Sequence, residues 1–350
     1  MMGRALKVLV IDDSATNRRM LTTLLESSLD VQVLDWAGDG EEGLRKVLEL
    51  KPDVVTLDLE MPRLGGHTFL RLLMHAAPTP VIVISSYAHK SDVFKALELG
   101  AFDFIAKPPR STPEALELLR RELLDKVRAA RHMKTGGRHG QGAALRSAVF
   151  AGEAPQVIAV GASTGGPPAV QRLLEGLASE PDVSVLVGQH MPSQFTRAFA
   201  ERLDRIGPFT VTEACDGDVV APGHVYIAPG GRHLILTERS GRMELRTPGP
   251  VPADKYAPSV DRLFESAAEV LGSRAVAVVL TGMGSDGAQG VRDVRREGGE
   301  TWAESEDTAV VFGMPKEAIA TGAVTRVLPL DDMGAELASL VRRRRQPSGQ

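Results

Sequence analysis

Three residues of this chain have the types and settings that covalent acyl chemistry needs, and each lies just beyond an apolar run. Ser163 sits in Gly161-Ala-Ser-Thr-Gly-Gly166, directly after Val157-Ile-Ala-Val160. His190 sits in Val187-Gly-Gln-His-Met-Pro192, and Asp286 in Thr281-Gly-Met-Gly-Ser-Asp-Gly287 after Ala277-Val-Val-Leu280. Gly161-x-Ser163-x-Gly165 reads as a nucleophile elbow, a sharp strand-to-helix turn that exposes the serine oxygen. The flanking glycines permit backbone angles other residues resist and clear space for a substrate to approach. Ser163 would attack an acyl carbon, His190 would take its proton at a pKa near working pH, and Asp286 would hold the imidazole and stabilise its cation. Each residue also has a plainer reading. Gly/Ser/Thr clusters make ordinary turns or cradle phosphates, a strand-end histidine is often structural, and Asp commonly caps a helix.

A second group points to different chemistry. Asp12-Asp13 follow the run Leu6 to Ile11, Asp58 ends Asp53 to Leu57, Ser85 ends Val81 to Ile84, and Lys107 ends Phe102 to Ala106. Carboxylates converging at one edge repel one another unless a cation lies among them, and hard oxygen ligands suit Mg2+. A lysine and a hydroxyl at neighbouring strand ends could then hold a phosphoryl group placed on one carboxylate. Helix capping by Asp12-Asp13 is the alternative for that pair.

These residues must be held by two α/β domains. In the first, strands at 6–11, 31–36, 53–57, 81–84 and 102–106 alternate with helical segments at 15–28, 39–50, 65–76, 88–99 and 112–130. In the second, strands are expected at 157–161, 183–188, 209–213, 224–228, 233–238, 242–247, 275–280 and 325–328, with helices near 167–178, 192–204, 258–271, 287–297 and 314–320. Alternation of this kind builds a doubly wound parallel sheet, whose ligands bind outside the carboxyl ends of the strands. The expected fold class is therefore two doubly wound domains. One is flavodoxin-like, and the other is a Rossmann-like three-layer α/β/α domain with a small antiparallel hairpin region at 224–247. The expected boundaries are 1–126, a flexible basic and Gly-rich linker at 127–154, a second domain at 155–345 and a tail at 346–350.

At 350 residues the chain suffices for two domains of ordinary size, and its net charge of −4 gives no argument for nucleic-acid or membrane binding. No apolar run approaches the ~20 residues that span a bilayer, and the first residues lack a signal-peptide layout, so a cytoplasmic protein is expected. The single cysteine, Cys215, has no partner for an internal disulfide. Gly282-x-Gly284-x-x-Gly287, followed by Glu304 or Glu306, matches a dinucleotide fingerprint. It carries the competing hypothesis of a phosphorylation-gated nucleotide-binding protein. Against it, Asp286 puts negative charge where a pyrophosphate would approach. The α/β-hydrolase fold is disfavoured because its order is serine, acid, histidine.

Residues 6–126 resemble a response-regulator receiver domain. The resemblance rests on Asp12-Asp13, Asp58 in Asp58-Leu-Glu-Met-Pro62, Ser85 and Lys107-Pro108. It implies Asp58 as phospho-acceptor, Ser85 and Phe104 as switch residues with Lys107, and Mg2+ held by Asp12, Asp13, Asp58 and the backbone carbonyl of Glu60. Residues 155–330 resemble the catalytic domain of the chemotaxis protein-glutamate methylesterases. The motifs are those around Ser163, His190 and Asp286, with Ala221-Pro-Gly-His-Val-Tyr-Ile-Ala-Pro-Gly230, Tyr256-Ala-Pro-Ser-Val-Asp261 and Phe312-Gly-Met-Pro-Lys-Glu317. This resemblance implies a phosphorylation-regulated serine hydrolase that removes γ-glutamyl methyl esters from chemoreceptor cytoplasmic domains, with glutamine deamidation in some members. It implies a triad of Ser163, His190 and Asp286, oxyanion support from the backbone amides of Met283 and Thr164, a histidine kinase as phosphodonor and no cofactor for ester hydrolysis. It also implies that the unphosphorylated receiver restricts access of a receptor helix to the hydrolase.

Overall fold

The computed structural model describes residues 4–85, 90–108, 110, 112–131, 157–180 and 182–345. The chain divides into two compact units, Met1–Gly136 and Gly137–Gln350. Most of the expected linker and the expected tail lie outside the described residues.

The first unit holds strands β1 (Leu6–Ile11), β2 (Val31–Ala37), β3 (Val54–Leu57), β4 (Val81–Ser85) and β5 (Asp103–Ala106). They alternate with helices α1 (Ala15–Glu26), α2 (Gly40–Leu50), α3 (Gly66–Ala76), α4 (Lys90–Glu98) and α5 (Pro113–Ala130). The sheet is parallel with order β2-β1-β3-β4-β5. Its order reverses between β1 and β3, and Asp12 and Asp58 follow those two strands. The fully buried β3 and β4 are apolar apart from Thr56 and Ser85, as strands covered on both faces must be. Ser14, not Asp12 or Asp13, caps α1, accepting from the Asn17 N–H at 3.4 Å. Helix α5 continues past the expected domain boundary at 126 because Val127, Ala129 and Ala130 are buried.

The second unit contains β6 (Val157–Ala162), β7 (Ser184–Gln189), β8 (Thr210–Glu213), β9 (His224–Ile227), β10 (Ile235–Arg239), β11 (Arg242–Arg246), β12 (Val276–Val279), β13 (Glu300–Glu304) and β14 (Arg326–Leu328). Its helices are α6 (Gly166–Leu177), α7 (Ser193–Asp204), α8 (Val260–Leu271), α9 (Ala288–Arg296), α10 (Met314–Ala320) and α11 (Leu330–Arg345). Seven strands form a parallel sheet in the order β14-β13-β12-β6-β7-β9-β8. Ser163, His190 and the loop carrying Asp286 follow β6, β7 and β12, which bracket the point where strand order reverses. Against one face pack Val260, Leu263 and Phe264 of α8 with Val291 and Val294 of α9.

Three expectations change here. The region 224–247 is not all antiparallel: only β10 and β11 pair that way, while β9 joins the parallel sheet between β7 and β8. Strand β13 was not expected, because its sequence Glu-Thr-Trp-Ala-Glu is polar at both ends. It is nonetheless buried throughout, with Glu300 accepting from Thr325 Oγ1 at 2.8 Å and Glu304 accepting from the Thr281 N–H at 2.8 Å. Helix α11 lies beyond the last helix expected from the sequence, near 314–320. It buries Met333, Leu337 and Val341 at four-residue spacing and is tied by Arg172–Asp331 at 2.8 Å and Arg342–Glu180 at 3.1 Å.

Candidate active site and receiver site

Leaving β6, the chain turns at Ser163 so that its backbone N–H donates to the Thr281 carbonyl at 3.0 Å and its carbonyl accepts the Gly166 N–H at 2.8 Å. These bonds fix the serine in a tight turn that opens α6. Gly165 has φ +74°, a conformation that favours glycine. The flanking glycines make room for protein rather than for substrate, however. A Cβ at Gly161 would lie 2.2 Å from the Val260 side chain, and one at Gly165 would lie 2.7 Å from Val310.

Ser163, His190 and Asp286 form one hydrogen-bonded line. His190 Nδ1 lies 3.2 Å from Ser163 Oγ, and Nε2 lies 2.8 Å from Asp286 Oδ2. Asp286 is buried, while Ser163 and His190 are half-buried. Burial pushes the Asp286 carboxyl up, but the hydrogen bond and charge of His190 and the amides of Val260 and Asp261 outweigh it and leave the pKa below its ordinary value. An ionised carboxylate only accepts, so the Nε2–H donates to Asp286 and Nδ1 is left to accept from the Ser163 hydroxyl.

The support behind Asp286 was not anticipated. Its Oδ2 accepts the Val260 N–H at 2.7 Å, and its Oδ1 accepts the Asp261 N–H at 2.9 Å and the Ser259 hydroxyl at 3.1 Å. Asp286 thus binds the N-terminus of α8. Asp261, in the first turn of α8, reciprocates by accepting the N–H groups of Gly287 at 2.9 Å and Gly290 at 2.8 Å at the start of α9. Each helix start therefore lends its unpaired amides to the other's aspartate. This exchange removes the nucleotide alternative's footing, since the α9 amides a pyrophosphate would need are already bonded to Asp261. Glu304, the candidate ribose acid, is buried beneath Thr281.

Other supporting residues also escaped sequence reasoning. Tyr256 stacks on the His190 ring with centroids 4.6 Å apart and planes 9° from parallel. The buried Gln189 donates from Nε2 to the carbonyls of Ser163 at 2.9 Å and His190 at 3.0 Å. Both stood inside quoted motifs, and neither carried a chemical signal of its own. Thr281 ties the site to the sheet: its hydroxyl donates to the Thr164 carbonyl at 2.9 Å and accepts the Val311 N–H at 2.9 Å. Thr164 and Met283 lie in the loops after β6 and β12, and among the described residues their backbone N–H groups form no hydrogen bond to a backbone carbonyl.

In the first unit, Asp12, Asp13 and Asp58 bring one carboxylate oxygen each to within 4.8 Å of one another. Asp12 and Asp58 are buried, and Asp13 is exposed. Lys107 Nζ pairs with Asp12 Oδ2 at 2.9 Å and with Asp58 Oδ2. Burial and the Asp12 charge hold the Asp58 carboxyl above its ordinary value, although Lys107 and the Glu60 N–H pull it down. The Glu60 N–H donates to Asp58 Oδ1 at 3.1 Å. Ser85 is buried at the end of β4, its carbonyl accepting the Lys107 N–H at 2.8 Å. Phe104 is buried in β5 with its ring 6.3 Å from that of Phe94, edge to face. All five strand-end residues expected to converge are thus at one edge, and the clustered oxygen donors have the chemistry for a hard divalent cation. Among the described residues no helix is long and apolar enough to cross a membrane. Cys215 is exposed beyond β8.

Both domains match known families. The CheB methylesterase family model matches residues 158–337, and the response regulator receiver domain model matches residues 8–119. The protein-glutamate methylesterase/protein-glutamine glutaminase 1 of Myxococcus xanthus is 72% identical over 340 residues, covering 97% of this chain and 98% of the relative. A Geobacter sulfurreducens protein of the same description, numbered 3, is 48% identical over 359 residues, covering 95% and 97%. The crystal structure of the Thermotoga maritima CheB methylesterase catalytic domain is similar with a TM-score of 0.51 and 40% identity, covering 53% of this chain and 98% of that one. With Ser163, His190 and Asp286 aligned across one parallel sheet and an acidic strand-end cluster on the other, the chain belongs to the CheB methylesterase family and carries a response-regulator receiver domain ahead of its catalytic domain.

Proposed function

We infer that the chain is a receiver-controlled serine hydrolase that removes methyl esters from glutamate side chains of chemoreceptors and deamidates glutamines at such sites. The observation that carries this reading is the line from Ser163 Oγ through both ring nitrogens of His190 to Asp286, at 3.2 and 2.8 Å. Ser163 attacks the ester carbonyl while His190 Nδ1 takes its proton, and Asp286 stabilises the imidazolium. The resulting oxyanion lies toward the backbone amides of Met283 and Thr164. Collapse of the tetrahedral adduct breaks the C–O bond, and His190 returns the proton to the departing methanol. Water then enters, gives its proton to His190 and releases the glutamate, restoring Ser163. An amide follows the same course with ammonia in place of methanol.

In the receiver, Asp58 accepts the phosphoryl group from a histidine kinase. The bound Mg2+ would be held by Asp12, Asp13, Asp58 and the Glu60 carbonyl, and it supplies positive charge against the clustered carboxylates and the incoming phosphoryl oxygens. Lys107 and Ser85 then meet the phosphoryl group on Asp58, and the change at β4 and β5, where Phe104 lies, biases the chain toward its active state. The setting is chemotactic adaptation in the cytoplasm, with receptor cytoplasmic domains as substrate.

Methanol release from a methylated receptor tests the assignment. Ser163→Ala should lower it on the order of 10⁶-fold, because a triad acts as a unit. Acetyl phosphate should still label Asp58 in that variant. Retention of a tenth of wild-type hydrolysis would place the nucleophile elsewhere.

A further inference from the structure

A second histidine–carboxylate pair lies behind the catalytic aspartate, and neither the ester chemistry nor the receiver uses it. His233 is completely buried in the turn before β10. Its Nε2 lies 2.9 Å from Asp254 Oδ2, and its Nδ1 accepts the backbone N–H of Ser259 at 3.2 Å. A ring nitrogen that accepts from a backbone N–H carries no proton, so the single ring proton is on Nε2 and faces Asp254. Asp254 is held firmly as the acceptor. Its Oδ2 also takes the Val251 N–H at 2.7 Å, and its Oδ1 takes Arg262 Nη2 at 2.6 Å. The Val251 amide, with His233 and Arg262, keeps its pKa down at about 2 against the opposing effect of burial.

What His233 holds is the residue that holds Asp286. Ser259 caps α8, and its hydroxyl donates to Asp286 Oδ1 at 3.1 Å. The next two N–H groups, of Val260 and Asp261, supply the other donors to that carboxylate. These three donors project from three consecutive residues, so holding the Ser259 N–H fixes the start of the segment that carries them. We propose that His233, fixed in one tautomer by Asp254, is a positioning residue for hydrolysis: it locks the Ser259 peptide and so aims the Asp286 carboxylate at His190.

This inference rests on the triad assignment, and its test separates the two. The side-chain amide of Gln reaches the position of Nε2 and can still donate to Asp254, but leaves the Ser259 N–H without its acceptor. That of Asn reaches the position of Nδ1 and can still accept from Ser259, but loses Asp254. Methanol release from a methylated receptor and the rate of Ser163 labelling by a fluorophosphonate should be measured in the full chain. His233→Gln should lower both kcat and the labelling rate on the order of ten-fold, the scale of a small misplacement of a catalytic group, with KM unchanged. His233→Asn should stay within about three-fold of wild type by the same scale. In an Asp286→Asn background, His233→Gln should cost nothing further, because the carboxylate it aims is gone. Asp254→Leu removes the acceptor of the Nε2–H altogether, frees the ring to take the other tautomer and should reproduce the loss in kcat, so the inference remains open to refutation where His233→Gln does not fold. Unchanged kcat in the folded variants, equal losses in the Gln and Asn variants, or a full additional loss in the Asp286→Asn background would overturn it. Absence of Ser163 labelling in the wild type would instead overturn the triad.

Discussion

The two sites of this protein place buried aspartates at the carboxyl ends of parallel sheets, yet they satisfy burial in opposite ways. Asp286 meets four donors, from Ser259, Val260, Asp261 and His190, and its pKa falls below the ordinary carboxylate value. Asp58 meets Lys107 and one amide while the Asp12 charge opposes it, and its pKa rises. The difference teaches that burial does not decide charge; the count and direction of donors does. The Asp286 carboxylate has its donors supplied by the fold, as the proposed role of stabilising a cation requires. The receiver carboxylates are left short of positive charge, which suits a site completed by a divalent ion and altered by a phosphoryl group.

Exchanging each aspartate for asparagine is the sharpest way to break that comparison. Asp286→Asn puts an NH2 group among donors that all require an acceptor, so it should lower kcat for methanol release on the order of 10⁴-fold. That loss should still be smaller than for Ser163→Ala. Asp58→Asn should abolish acetyl-phosphate labelling and phosphodonor-dependent activation, while leaving hydrolysis without phosphodonor at the wild-type level. Comparable loss of basal hydrolysis in both variants would show that the receiver carboxylate serves the ester chemistry as well.

The fold was largely legible because strand ends and catalytic motifs coincide in the sequence. Ser163, His190, Asp12, Asp58 and Lys107 each follow an apolar run closely enough for the run to place them. Supports that act through the backbone were not legible. The Val260 and Asp261 amides that hold Asp286 have no sequence signature. Strand β13 was hidden because its end glutamates take donors from elsewhere in the chain, among them Thr281 and Thr325. The direction of His224–Ile227 was misassigned for a related reason: a four-residue strand fits either direction until its neighbours are known.

Glu304 offers a further test, because it lies one bond behind Thr281 and contrasts with Asp286 in having few donors. Burial pushes its pKa up to about 7, helped by the Asp331 charge and opposed by the Thr281 N–H and by Thr308. The folded state therefore holds this proton more tightly than the unfolded chain. Its contribution is complete below the unfolded pKa of about 4.5 and is lost as pH rises through about 7. That shift corresponds to about 3 kcal/mol between the two ends of the window. Urea unfolding of the catalytic domain, followed by emission of the buried Trp302, should show stability falling from pH 5 to pH 8 in the wild type. In Glu304→Gln most of that slope should vanish. Asp261, also raised by burial, contributes a slope of the same sign, so the difference between the two proteins isolates Glu304. A slope unchanged by the substitution would mean that Glu304 is ionised throughout and that its burial is offset by donors other than Thr281 and Thr308.

Tyr256 should give the smallest effect, and it tests whether His190 needs more than hydrogen bonds. His190 lies flat on the Tyr256 ring, with centroids 4.6 Å apart. Stacked rings contribute about 0.5–1.5 kcal/mol beyond their buried area. In the proposed attack by Ser163 the imidazole would become a cation, and a cation over an aromatic face gains a further electrostatic attraction. Because that gain arises only as charge develops, it should appear in kcat and not in KM. Lys255 Nζ, 5.0 Å from the same ring centroid, already draws on the ring's electrons and should hold the effect near the lower end of the range. Tyr256→Phe keeps the ring and should retain kcat within about two-fold, while Tyr256→Ala should lower kcat about five-fold, as expected for roughly 1 kcal/mol. Lys255→Met should raise kcat slightly in the wild type and leave it unchanged in the Tyr256→Ala background. A loss in Tyr256→Phe as large as in Tyr256→Ala would assign the effect to the hydroxyl beside Gly284 rather than to the stacked ring, and the support of His190 would then rest on hydrogen bonding alone.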